Sequence, residues 1–257
     1  MAAMARILAL MGSGENSPAM VTPHQNIIKK SSGTKRIALD TPYGFQENAD
    51  ELSEKIAKYF AVNVGKEIHT VQLRDRHIRE SALREIQEAD WIFSGPGSPT
   101  YALRTWTETG ADQVLLEHID RGSIVMASAA AMTMGAKVMP VYEMYKVGDD
   151  PFWLEGINLL ERATGIRATV IAHYNNAQGG THDTRYCFAG GRRMAILETL
   201  LDDDVSILGI DEHTGIAFDL DEKKAETFGK GLITFKSGDT VKTFSPKEII
   251  DFSEFIA

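Results

Sequence analysis

The feature that most constrains the fold is a regular alternation of short apolar segments with amphipathic ones. The apolar segments have the length and composition of buried β-strands and occupy residues 6–12, 35–41, 67–73, 91–95 and 123–128. The segments between them predict helices over residues 47–60, 81–89 and 111–122, with a further helix beginning at residue 129. A β-α-β rhythm brings successive strands parallel, so we expect a three-layer α/β sandwich with a mostly parallel central sheet.

The last third of the chain has a different pattern. Residues 205–220, 230–238 and 239–244 predict consecutive strands joined by tight turns, and therefore antiparallel strands added to the edge of the parallel sheet. Residues 137–155 fit neither pattern; they are aromatic and contain two prolines, which favours a loop excursion close to the functional site. No linker or repeat is visible, so we expect a single domain over residues 1–257.

The composition excludes several classes of function. The chain has 257 residues and a formal net charge of -9, without the basic run that a nucleic-acid-binding face needs. Its one cysteine, Cys187, allows neither an internal disulfide nor a zinc cluster, and the apolar run at residues 7–11 is too short to span a membrane. We expect a cytoplasmic protein without metal, nucleic-acid or membrane partners, with a homodimer as the commonest form if it oligomerises.

The stretch IVMASAAAMTMG, residues 124–135, places one serine between a predicted strand and a predicted helix. In a nucleophile elbow a serine occupies such a turn above the sheet, with small residues two positions before and after it. Ala130 satisfies this requirement, whereas Met126 stands where glycine is usual. Ser128 is therefore either a nucleophile or a small helix-capping residue in a packed corner.

Several segments resemble peptidase family S51, which includes cyanophycinases and aspartyl dipeptidases. MASAAAMTMG resembles its GTSAGA elbow, ALMGSGE its opening GGGE turn, and EADWIFSGPGSPTYAL a segment ending in a glycine-rich turn. GINLL followed by VIAHY resembles the stretch that ends in the family's catalytic histidine, and GIDEHTGIAFD resembles GIDEdTAlvv. These matches run in the family's order from about residue 6 to residue 244.

The resemblance implies a class I glutamine amidotransferase-like (flavodoxin-like) fold and a Ser-His-Glu triad that needs no cofactor. It assigns Ser128 as nucleophile, His173 as general base and Glu212 as the orienting acid. The backbone N–H of Ala129, with that of Gly95 or Gly97, is expected to form an oxyanion hole. The expected substrate-binding side chains are Ser98, Arg185 and Arg192.

Alternatives remain open for these assignments. His182 is a second candidate base, Asp211 and His213 flank Glu212, and Cys187 is expected to be a buried apolar residue. The leading hypothesis is a serine hydrolase that cleaves a small peptide or amide. The alternative is a catalytically silent amidotransferase-like domain that binds a small molecule or a partner subunit.

Overall fold

The computed structural model describes residues 5–31, 33–74 and 80–255. Its main sheet has eight strands in the order β14-β11-β10-β1-β5-β4-β2-β3. The strands of this sheet are β1 Ile7–Met11, β2 Arg36–Leu39, β3 His69–Val71, β4 Trp91–Ser94, β5 Ser123–Ala127, β10 Thr214–Asp219, β11 Lys224–Gly229 and β14 Ile249–Asp251. Strands β1 to β5 are mutually parallel, and β10, β11 and β14 continue the sheet antiparallel. The predicted α/β arrangement with antiparallel C-terminal strands is confirmed. The segments 230–238 and 239–244, expected at the edge of this sheet, instead form strands of a separate sheet.

Helices cover both faces of this sheet because alternate residues of each buried strand point to opposite sides. On β1, Leu8 and Leu10 join one apolar cluster, while Ile7, Ala9 and Met11 join the other. Two helices contribute to the second cluster: α1 Val21–Lys30 and α2 Ala49–Tyr59. The first cluster contains residues of α3 Glu80–Glu88, α4 Pro99–Thr109, α5 Ala111–His118, α6 Ala129–Thr133 and α7 Leu159–Thr164.

A separate four-stranded sheet has the order β13-β12-β9-β8. Its strands are β8 Ala168–Ile171, β9 Ser206–Ile210, β12 Ile233–Ser237 and β13 Thr240–Phe244. The helix α8, Gly190–Thr199, contributes to a third apolar cluster together with residues of β8 and β9. The segment 137–155, expected to be a loop, contains a two-stranded ribbon, β6 Lys137–Val138 with β7 Leu154–Glu155, and a helical turn at Glu143–Val147.

Four helices of the described chain were not predicted from the sequence: α1, α4, α7 and α8. Helix α1 contains a proline and only two apolar residues near its end, so its period is weak. Helix α4 was not predicted although its start signals were present in the sequence: Ser98 caps it and Pro99 occupies its first turn. Predicted and observed boundaries agree closely elsewhere: residues 81–89 against α3, and residues 47–60 against α2, which continues as a π-type turn to Val64.

The topology brings the carboxyl ends of β1, β4 and β5 to one edge of the main sheet. The backbone N–H of Ser128, which follows β5, donates to the carbonyl of Met11 at the end of β1 (2.9 Å). The turn between β9 and β10 lies beside this edge, because Gly12 N–H donates to the carbonyl of Thr214 (2.9 Å). Ligands bind at such an edge in open α/β sheets, and the candidate residues lie there.

Candidate functional site

Ser128 occupies a sharp turn between β5 and α6. Its backbone has φ 51° and ψ −119°, a conformation that side-chain-bearing residues seldom adopt and that costs of order 1–3 kcal/mol. The residue is buried (8% exposed), and its hydroxyl makes no capping hydrogen bond to α6. The turn therefore has nucleophile-elbow geometry, and the side chain is not used as a helix cap.

The core accommodates the residues two positions before and after Ser128. Met126 and Ala130 are both fully buried and belong to the same apolar cluster. The N–H of Ala130 donates to the carbonyl of Gly95 (3.2 Å), which ties the start of α6 to the end of β4. A methionine two residues before the serine is thus compatible with the turn.

Ser128, His173 and Glu212 form a continuous hydrogen-bonded chain. The serine Oγ lies 2.9 Å from His173 Nε2, and His173 Nδ1 lies 3.0 Å from Glu212 Oε1. Because a carboxylate oxygen can only accept, Nδ1 carries the proton and Nε2 is free to accept from the serine hydroxyl. Both side chains of the His-Glu pair are only about one-fifth exposed (21% and 23%).

Asn175 and Asn176, which sequence reasoning did not single out, hold the acid in place. The side-chain NH2 of Asn176 donates to Glu212 Oε1 (3.0 Å), the oxygen that also accepts from the histidine. Asn176 is 1% exposed, and its Oδ1 accepts from the backbone N–H of Gln178 (3.0 Å). Asn175 Oδ1 accepts from the backbone N–H of Glu212 (2.8 Å). The two adjacent asparagines in HYNN, just after the candidate base, were the available signal.

The alternative acid, Asp211, and the alternative base, His182, have other positions and other contacts in the structure. Asp211 is buried and its carboxylate accepts from the backbone N–H of Leu232 (2.8 Å) at the start of β12. Burial raises the pKa of Asp211, with the neighbouring Glu212 adding to the shift. His182 is exposed and stacks on Tyr145, with ring centroids 6.3 Å apart.

The backbone groups expected to form the oxyanion hole differ in their surroundings. Ala129 and Gly97 line the pocket next to the turn serine, whereas Gly95 does not. Gly97 has φ +146°, and a Cβ at this position would lie 1.9 Å from the carbonyl oxygen of Pro42. Only glycine fits there, so the backbone conformation that brings this residue to the pocket depends on the absence of a side chain.

The pocket beside the serine has a volume of about 240 Å³. The segment 137–155 supplies one of its walls, as the sequence suggested. Its lining residues are Gly97, Pro99, Ser128, Ala129, Met132, Val141, Tyr142, Tyr145, Lys146, His173, Cys187 and Phe188. Cys187 is buried as expected, and its burial raises the pKa of the thiol to about 12, so the thiol is neutral.

The three side chains expected to bind substrate do not line this pocket. Ser98 is buried, and its Oγ accepts from the N–H of Tyr101 (3.1 Å) as the cap of α4. Arg185 is exposed and paired with the carboxylate of Asp183 (2.8 Å). Arg192 is exposed on α8. Their assignment rested on motif position, which does not determine where a side chain points.

The turn after β1 buries a second carboxyl close to the site. Glu15 is 6% exposed, and burial raises the pKa of its carboxyl. Its backbone carbonyl is bonded to His24 Nε2 (2.8 Å). His24 is fully buried among aromatic rings, and desolvation lowers its pKa to about 4.

Neither a metal cluster nor a membrane-spanning helix occurs among the described residues. Within residues 5–31, 33–74 and 80–255, no three His, Cys, Asp or Glu side chains come together as a metal site. In the same part of the chain, every helix is too short or too polar to cross a bilayer.

Comparisons with known proteins bear on the family and the fold of the chain. The sequence profile of peptidase family S51 matches residues 8–225. The comparison with curated proteins finds no match. Among solved structures, the chain is similar to a peptidase from an acI-B1 Actinobacterium, with 21% identity and a TM-score of 0.76 over 96% of this chain and 97% of that one. It is also similar to a putative peptidase E from Listeria monocytogenes EGD-e, with 16% identity and a TM-score of 0.56 over 94% of this chain and 98% of that one. The structural matches support the fold, and the profile match over most of the sequence shows that the chain belongs to peptidase family S51.

Proposed function

We propose that the protein is a serine hydrolase that cleaves a small peptide or amide through an acyl-enzyme. The observation that carries this proposal is the chain of hydrogen bonds from Ser128 through His173 to Glu212, anchored on a strained turn. A serine hydroxyl is a weak nucleophile until a base accepts its proton, and a base needs a third group to fix its tautomer. The three side chains have the order and spacing for these roles.

The proposed reaction has two steps. Ser128 Oγ attacks the substrate carbonyl carbon while His173 Nε2 takes the hydroxyl proton; the C–N bond then breaks, and the same proton goes to the leaving amine. Water next attacks the acyl-enzyme and gives a proton to His173. The bond from the carbonyl carbon to Oγ breaks, the serine regains its proton, and a carboxylic acid is released. Glu212 stabilises the imidazolium in both steps through its bond to Nδ1.

The oxyanion formed in each step needs N–H donors. Ala129 supplies one, because the first N–H groups of a helix have no intrahelical acceptor. Gly97, which lines the same pocket, is the proposed second donor. Gly95 is not chosen as a donor, because it does not line this pocket.

A fluorophosphonate probe tests the proposal without knowledge of the substrate. We expect labelling of the wild-type protein at Ser128, located by peptide mass mapping, and none in Ser128→Ala. Ser237→Ala, at the end of β12, is the matched control and should label like the wild type. A folded wild-type protein that does not label would contradict the proposal and leave the alternative, a silent domain that binds a small molecule or a partner.

A further inference from the structure

Most of the wall of the pocket beside Ser128 is apolar. Two tyrosines from the segment 137–155, Tyr142 and Tyr145, face the pocket together with Phe188. The Tyr145 and Phe188 rings are in contact, with centroids 5.1 Å apart. Met132 and Val141, both buried, complete the apolar surface. Aromatic and aliphatic walls of this kind favour an apolar group, which leaves water on entering.

The charges around the pocket also favour an apolar group over a cationic one. Its lining residues within the described chain include no aspartate or glutamate. Of the carboxyls close in sequence or space, Glu143 accepts from the hydroxyl of Thr100 (3.0 Å), and Glu212 is occupied by His173. Glu15 does not line the pocket, and burial raises the pKa of its carboxyl. A cationic side chain bound here would lose its hydration with no anion to replace it.

The one lysine that lines the pocket, Lys146, does not make it a binding site for acidic side chains. Lys146 is exposed and lies over the Tyr145 ring, with Nζ 4.8 Å from the ring centroid. Water screens an ion pair at such an exposed rim, so it contributes little to binding.

We propose that this pocket selects an apolar acyl group, so that the protein cleaves after residues such as leucine or phenylalanine in preference to aspartate, lysine or arginine. The inference rests on the proposed hydrolase function. It assigns specificity to the segment 137–155 and to Phe188, instead of to the arginines of the segment 185–193.

A matched series of substrates tests the selection. N-acetylated leucine, phenylalanine, aspartate and lysine, each joined to the same aminomethylcoumarin leaving group, differ only in the acyl side chain. We expect kcat/KM for leucine or phenylalanine to exceed that for aspartate and lysine by about 10- to 100-fold, the range that an apolar pocket provides. Equal rates, or a preference for aspartate or lysine, would overturn the inference.

A charge variant identifies the residues responsible. Tyr145→Glu places a carboxylate on the partly exposed wall and should raise the rate for lysine relative to leucine about 10-fold. Tyr145→Gln is the control, because glutamine has nearly the shape of glutamate but is neutral. It should leave that ratio within about twofold of the wild type. An unchanged ratio in Tyr145→Glu would show that this wall does not contact the acyl group.

Failure of the inference is distinguishable from failure of the proposed function. If the fluorophosphonate probe labels Ser128 but no apolar substrate is cleaved, the serine is active and the substrate class is wrong. If Ser128 is not labelled, both proposals fall together.

Discussion

Replacement of Asn176 isolates the part of the site that orients the acid. Its NH2 donates to Glu212 Oε1 at 3.0 Å from a fully buried position, so water has no ready access to replace it. A hydrogen bond to a charged group contributes about 1.5–3 kcal/mol. If that stabilisation is lost in the transition state, Asn176→Ala lowers the rate about 10- to 150-fold, since about 1.4 kcal/mol is tenfold.

The assay is the second-order rate of fluorophosphonate labelling at Ser128, measured on protein whose folding is verified by circular dichroism. Asn176→Asp separates two roles of the side chain, because its oxygen can still accept from Gln178 N–H while the donor to Glu212 is gone. We expect a loss at least as large as in Asn176→Ala. Asn175→Ala is the matched control; Asn175 is exposed, so water replaces its bond to the Glu212 backbone and the loss stays within a few-fold. Labelling of folded Asn176→Ala within twofold of the wild type would refute the reasoning.

Three further predictions concern stability. Burial lowers the pKa of His24 to about 4 in the folded protein, against about 6.5 in the unfolded chain, so between these pH values the unfolded chain binds more protons and the free energy of unfolding falls as the pH falls. In His24→Gln the free energy of unfolding, measured in urea, should therefore fall by about 2 kcal/mol less than in the wild type between about pH 7.5 and about pH 5. An equal fall in both proteins would contradict this. Gly97→Ala forces a Cβ to within 1.9 Å of the Pro42 carbonyl oxygen at φ +146° and should cost about 1–3 kcal/mol and slow labelling; a neutral effect would show that this backbone relaxes freely. Met126→Ala, despite restoring a small elbow residue, should cost about 2–5 kcal/mol in urea denaturation because the side chain is fully buried, and a cost below about 1 kcal/mol would be inconsistent with its place in the core.

The fold was predictable because its signals are local. The buried strands β1, β2, β4 and β5 are short apolar runs, and the order of strands and helices along the chain fixes a mostly parallel sheet. Less of the C-terminal half was predictable. The segment 205–220 divides between two sheets, since β9 pairs with β8 and β12, while β10 pairs with β1 and β11. Whether consecutive strands share a sheet depends on long-range pairing, which a local pattern does not contain.

The candidate site divides in the same way. Ser128, His173 and Glu212 follow the ends of strands and match motifs, so sequence was enough to nominate them, and the structure brings these side chains together. The lining of the pocket beside Ser128 was not predictable. Arg185, expected from the sequence to bind a substrate carboxylate, is paired with Asp183, and no pattern in the sequence indicates this.

The sequence by itself determined the α/β sandwich and the serine at its strand-to-helix turn, because hydrophobic period and turn chemistry act over a few residues. Tertiary structure decided the rest. It placed Asn176 against Glu212, 36 residues away along the chain, and it gave the pocket an apolar wall from the segment 137–155. The physical reason is that hydrogen-bond partners and pocket walls are set by distances of a few ångströms between elements far apart in sequence, which only packing fixes.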